Sequence, residues 1–293
     1  MRKLSTEKRA MILNCLCEGN SMAATCRLTG ASKKTVERLL ADAGTLAAQF
    51  HDLTVRGLSV DRVQVDELWA FVGAKQKQVE RGASGEGSTW TWTAIDSDSK
   101  LMISYLVGKR DGAYAVQFAY DIADRVEGRF QLTSDGLGAY PDAIIEAFGD
   151  SIDYAQLVKM YGAERPDEAR YSPAVCTGAR KQAVIGNPDK AHVSTSHVER
   201  QNLTVRMHNR RFTRLTNGFS KSMEMHRHSV ALHFFHYNFV RKHQSIGTSP
   251  AVAANVADHR WTMLEFVEML EKEERLQGGR LTNYKPAQKT AKS

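Results

Sequence analysis

The sequence predicts an α/β protein: a mixed five-stranded sheet with flanking helices, preceded by an all-α segment. Three observations predict it. Short runs of apolar–polar alternation recur from Asp61 onward, as half-buried strands require. Runs of helical period separate the later ones. The first fifty residues carry helical periods only, punctuated by serines and glycines.

In the first helix, Ile12, Leu13, Leu16 and Cys17 form one apolar stripe, and Gly19–Asn20 ends it. Ser21 caps a second helix, which stops at Gly30. Ser32 caps a third, with Val36, Leu39 and Leu40 facing inward. Small Cys26, Gly30 in the turn and aliphatic Val36 make the pattern of a helix-turn-helix, assigned to residues 1–45. Lys33, Lys34, Thr35 and Arg38 then lie on the outer face of the third helix, where a recognition helix meets DNA. A three-helix scaffold or dimerisation module has the same pattern, and the basic outer face favours DNA. Residues 46–60 read as a linker, within which Leu46 to Phe50 can be helical.

The next unit is assigned to residues 61–215. "DRVQVDELWAFVG" is a strand, with Val63 and Val65 alternating with Gln64 and Asp66. After a polar loop come "TWTWTAID", the turn "SDSK" and "LMISYLVG", completing an antiparallel meander. "DGAYAVQFAYDIADRV" is a helix with Ala115, Phe118, Ala119 and Ile122 on one face. "RFQLTSD" is a fourth strand ending at Asp135, "AYPDAIIEAFG" a short helix and "IDYAQLVKMY" a fifth strand. Residues 164–193 read as an extended loop, and "STSHVERQNLTVRMHNRR" as a helix. Residues 216–275 form a C-terminal helical region, and 276–293 a polar, basic tail with the composition of disorder.

This element order is that of the ribonuclease H-like fold. There the first and fourth strands lie side by side, so Asp66 and Asp135 approach at the strand ends. The helix carrying Glu199 packs across the same edge. Carboxylates held together repel, and a divalent cation relieves the cost. With oxygen ligands and no Cys or His, Mg²⁺ fits, with Mn²⁺ as substitute. Two such ions ~3.5–4 Å apart support an in-line phosphoryl displacement. A lone strand-end Asp more often starts a turn, and Asp96 and Asp98, in the "SDSK" hairpin, fit that role. Glu67 points to the opposite face of a regular strand.

Charge is uneven. The net charge is +7, and the stretch from Arg200 to Lys242 holds nine Lys/Arg and one acid, Glu224, as a polyanion-binding surface requires. Arg200, Asn202, Arg206, Arg210, Arg211, Arg214, Arg241 and Lys242 are the candidate DNA contacts here. Asn202, Leu203 and Arg206 share the general helix face of Glu199. The five histidines from His226 to His243 sit among apolar residues and read as core and surface groups rather than ligands. The four cysteines lack CxxC spacing, which excludes a zinc ribbon and a secreted disulfide framework. No apolar run reaches the ~18 residues of a membrane span, and the N-terminus is not a signal peptide. A reducing, cytoplasmic setting is expected.

"VQVDELWAFVG", "LTSDGLGAY", "STSHVERQNLTVRM…RRFTRLTNGFSKS" and "FFHYNFVRKHQSIGTSPAVAA", in that order over about 62–254, together resemble DDE-type bacterial insertion-sequence transposases, of the family named after insertion sequence one. The resemblance implies an integrase-like catalytic core and a metal-binding triad matched by Asp66, Asp135 and Glu199. It implies double-stranded DNA partners (terminal inverted repeats and target DNA), a homodimer or higher multimer on DNA, and a nucleoid-associated enzyme. Some members carry a cysteine zinc motif before the helix-turn-helix, and this chain does not. A metal-dependent nuclease or resolvase of the same fold, or an inactive DNA-binding regulator, are the alternatives.

Overall fold

The computed structural model describes residues 4–162, 176–214 and 216–283. In chain order the elements are α1 (Thr6–Cys17), α2 (Met22–Thr29), α3 (Lys33–Thr54), β1 (Leu58–Ser59), β2 (Arg62–Val72), α4 (Gln76–Val79), β3 (Gly87–Asp96), β4 (Met102–Gly108), α5 (Gly112–Ala123), β5 (Val126–Glu127), β6 (Gln131–Asp135), α6 (Tyr140–Phe148), β7 (Asp153–Tyr161), β8 (Cys176–Ile185), α7 (Ser196–His208), α8 (Met223–Phe235), α9 (Pro250–Ala253) and α10 (Met263–Leu276). The chain divides into two units: Met1–Val55, Trp69–Thr89 and Asn202–Ser293 in one, Arg56–Leu68 and Trp90–Gln201 in the other. Strands β2 and β3 and helix α7 run on from one unit into the other.

In the first unit the serine caps form as the sequence requires. Ser5, Ser21 and Ser32 each accept a backbone N–H of the first turn of α1, α2 and α3. Gly30 ends α2 in the left-handed conformation (φ 67°), which costs glycine little. The expected linker is corrected in part: α3 continues to Thr54. Its later turns are buried because α3 packs on α8. At Gly44 a Cβ would stand 2.5 Å from the His228 Cβ, so only glycine admits this approach. Phe50, near the end of α3, meets Phe235, Phe239 and Trp261 at centroid distances of 5.6, 5.0 and 5.0 Å. The tail is corrected in part too. Arg280 bonds both Asp42 oxygens (2.8 and 3.1 Å), and Thr282 donates to the same carboxylate; residues 284–293 lie outside the described residues.

The sheet has six strands rather than five, in the order β4-β3-β2-β6-β7-β8, and a separate pair joins β1 to β5. β3 and β4 are antiparallel, β2–β6 and β6–β7 parallel, and β7–β8 antiparallel. β8 lies within the segment expected to be loop. None of its residues is buried and seven of the ten are exposed, so no apolar alternation marks it, and backbone pairing to β7 holds it. The core of this unit is built from the alternation already visible in the sequence: Val63 and Val65 of β2, Trp92 of β3, Phe118 and Ile122 of α5, and Tyr140 and Ile144 of α6 are buried. Among the described residues, no helix is long and apolar enough to cross a membrane.

Candidate metal centre

Register brings two acids together. β2 pairs with β6 through Arg62–Gln131, Val63–Leu132 and Gln64–Thr133, an offset of 69 positions in each pair. The same 69 positions separate Asp66 from Asp135. The two therefore stand side by side where β6 ends. Asp66 is within β2 rather than at its end, correcting the expectation. Its Oδ1 accepts the Glu67 N–H at 2.8 Å, curling the side chain along its own strand. Asp135 is also the turn-former that its position suggests: Oδ1 accepts the Leu137 N–H at 2.9 Å. Gln156 of β7 fixes this turn by donating to the carbonyls of Asp135 and Leu137 at 3.0 and 3.2 Å.

Glu67 joins them, contrary to the alternation argument. One carboxylate oxygen from each of Asp66, Glu67 and Asp135 lies within 4.8 Å of the others. β2 runs on past the end of β6, so no neighbouring strand on that side separates its two faces there, and the longer Glu67 side chain reaches the gap. Arg110 answers this charge. Its Nε donates to Glu67 Oε2 at 2.9 Å, Nη2 lies 3.9 Å from Asp135 Oδ2, and the guanidinium sits 4.8 Å from the Trp90 ring centroid. Glu67 Oε1 and the Tyr140 hydroxyl are buried and neither completes a hydrogen bond, although the hydroxyl lies close enough to favour the carboxylate.

The electrostatics follow from crowding. Burial pushes the Asp66 carboxyl up to about 7, and the charges of Glu67, Asp135 and Glu199 add to it. Burial also raises Glu67, with Asp135 adding, while Tyr140 and Arg110 oppose. Burial and the same acids hold the Tyr140 hydroxyl protonated well beyond the usual phenol range.

Glu199 is on the first turn of α7, exposed, and outside the trio. Its Oε1 is bonded by the Lys159 ammonium and the Thr195 hydroxyl. Helix α7 is set against β2 by buried Gln64, whose Oε1 accepts the His197 and Val198 N–H groups at 2.8 and 3.2 Å. Gln64 and Asp66 alternate onto one face of the strand, so the residue that seats the helix lies two positions from the acid. Glu67, Arg110, Tyr140, Lys159 and Gln64 were not singled out as site residues from sequence. The adjacency of Glu67 to Asp66 was the available signal, and regular alternation argued against it.

The candidate DNA contacts are scattered in exposure. Lys33, Lys34, Arg200, Arg214 and Lys242 are exposed; Thr35, Arg38, Arg206, Arg210, Arg211 and Arg241 are half-buried. Thr35 and Arg38 line a cavity of about 490 Å³ with Gly278, Gly279 and Arg280. Arg211 donates to Ser220 at 3.2 Å. Asn202 is only 4% exposed and sits on the inner side of α7, whereas Leu203 is exposed. His226, His233 and His236 are buried, as their apolar setting suggested.

No protein-family model and no curated protein matches the chain. Solved structures similar at low identity include the following three. One is the simian T-cell lymphotropic virus intasome in complex with PP2A regulatory subunit B56 gamma, 15% identical over 93% of this chain and 76% of that one, with a TM-score of 0.36. Another is the piggyBac transposase synaptic complex with hairpin DNA, 10% identical over 98% and 75%, with a TM-score of 0.37. The third is the Mos1 strand transfer complex, 13% identical over 96% and 81%, with a TM-score of 0.28.

Proposed function

We propose that the chain is a DNA transposase with a ribonuclease H-like core and, in residues 1–45, a helix-turn-helix that reads the terminal inverted repeats. The observation that carries this reading is the register match of Asp66 with Asp135, beside a helix whose Glu199 is near enough to raise the Asp66 carboxyl. The residues fit a hard divalent cation. Their donors are all oxygen, they crowd like charge, and one buried oxygen of Glu67 completes no hydrogen bond. Asp66 and Asp135 would hold Mg²⁺ from the sheet and Glu199 from α7. When bound, the metal lowers the pKa of a water and neutralises phosphate charge.

In this reading the protein orients a phosphodiester at the element end for attack by water. The bond to the 3′ oxygen breaks, leaving a 3′-OH and a 5′-phosphate. That hydroxyl then attacks a target phosphodiester, forming one P–O bond as another breaks, without a covalent protein–DNA intermediate. Of the candidate contacts, Lys33, Lys34, Arg200, Arg214 and Lys242 are exposed and would neutralise backbone phosphates, Lys33 giving up its ion pair with Glu37. Lys159 must release Glu199 for the third carboxylate to reach the centre. A dimer or higher multimer on DNA, in the bacterial cytoplasm, completes the proposal.

The test is cleavage and joining of labelled inverted-repeat ends with Mg²⁺ or Mn²⁺. Asp135→Asn should reduce both by at least about a hundredfold, in the range lost when a charge-stabilising group is removed, while DNA binding persists. Cleavage without joining identifies a nuclease or resolvase instead. Binding without either reaction identifies a regulator. Joining by Asp135→Ala at the normal rate would overturn the assignment of the acids.

A further inference from the structure

We propose that Glu67 is itself a ligand of the divalent cation, completing an Asp66–Glu67–Asp135 oxygen set; this rests on the reading of that centre as a metal site. Three independent features point to it. First, the oxygens already converge within 4.8 Å. Oxygens on one Mg²⁺ ion at its usual bond length are about 3 Å apart when cis and about 4.2 Å when trans, so the three would draw together by side-chain rotation to close the set.

Second, the Glu67 side chain is 1% exposed and its Oε1 completes no hydrogen bond. Arg110 holds Oε2, and the buried Oε1 is the oxygen that a cation at the centre would satisfy. The fully buried hydroxyl of Tyr140 lies close enough to favour the carboxylate. Third, a cation already serves these acids. Arg110 bonds Glu67 at 2.9 Å and approaches Asp135 to 3.9 Å, braced on the face of Trp90. Glu67 and Asp135 thus share one positive charge, in the way a metal would be shared. Glu199, by contrast, is bonded to Lys159 and Thr195 outside this group.

Mn²⁺ alone, titrated into the full-length chain and followed by its electron paramagnetic resonance signal, tests this without DNA. Arg110→Gln removes the competing cation and should tighten binding at least threefold. In that background Glu67→Gln and Glu67→Asp should each weaken it by about tenfold or more, the scale of a perturbed metal environment. Glu67→Asp keeps the charge and shortens the reach, so a role exerted only through space predicts little loss. Weakening of less than tenfold in either variant overturns the proposal. If circular dichroism shows that neither folds, Arg110→Gln decides: no tightening overturns it. Asp135→Asn separates the two readings. If it abolishes binding while the Glu67 variants bind normally, the centre stands and Glu67 is only the counter-ion of Arg110. If it too leaves binding unchanged, the metal centre itself fails and this proposal with it.

Discussion

Asp66 is poised between its two protonation states near neutral pH, because burial and three neighbouring carboxylates raise it to about 7. Metal needs the ionised form, so proton and metal compete. Below pH 7 the apparent Mn²⁺ affinity should fall by about tenfold per pH unit, and above it level off. Calorimetric titrations between pH 5.5 and 8 measure this, and a flat profile would contradict it. The stability term has the opposite sense. Folded Asp66 keeps a proton that the unfolded residue has released above its ordinary value of 3.8. Its contribution is therefore full below that value and lost as pH rises through about 7. Asp135 shows how far a single residue is legible. Its turn-forming bond to Leu137 was readable from "TSDG", and its pairing with Asp66 followed from element order. Glu67 was not readable, because alternation describes a strand flanked on both sides, and β6 ends at Asp135.

At the scale of elements, what the sequence conveyed was periodicity, and what it hid was pairing. The caps of α2 and α3, the apolar face of α5 and the neighbouring of β2 and β6 all came from local pattern and strand order. β8 was missed because an exposed strand carries no apolar alternation, and β1 and β5 are two residues each. Gln64 belongs to the same class of hidden information: a polar residue in an alternating strand reads as solvent-facing, yet it is buried as the acceptor for the start of α7. Gln64→Leu would leave two N–H groups of that helix without their acceptor, at a cost of about 1–3 kcal/mol. Urea unfolding should show the midpoint falling with an unchanged slope. A loss below about 0.5 kcal/mol would mean that other groups seat α7. Arg280→Ala makes a parallel case in the other unit. Asp42, 4% exposed, would keep only the Thr282 bonds. Because Arg280 is itself about a third exposed, the loss should be nearer about 1–2 kcal/mol than that of a fully buried pair. Thermal melts of the variant check it, and an unchanged midpoint would show that the segment after α10 adds nothing.

Over the whole molecule, the charges that suit a polyanion partner sit beside groups that resist acid. Burial holds His226 and His233 down to about 3 and His236 to about 4, with Arg211 and Arg227 acting on the first and Arg241 on the other two. Neither nitrogen of His233 completes a hydrogen bond. An unfolded histidine takes up its proton near 6.5. Between that value and the folded ones the unfolded chain binds more protons than the native chain, so stability rises with pH. The contribution of these residues is full above pH 6.5 and is lost as pH falls toward 4. Each such histidine costs about 1.4 kcal/mol per pH unit across that window, an upper bound where local opening admits water. The unit containing α3 and α8 should therefore unfold in mild acid, near pH 5, at ionic strengths where it is stable at pH 7.5. Urea titrations at the two pH values measure the difference. His233→Phe tests the cause, since it keeps an aromatic ring of similar size and removes the proton site: its stability should depend less steeply on pH. An unchanged pH dependence would place the acid sensitivity outside this helix.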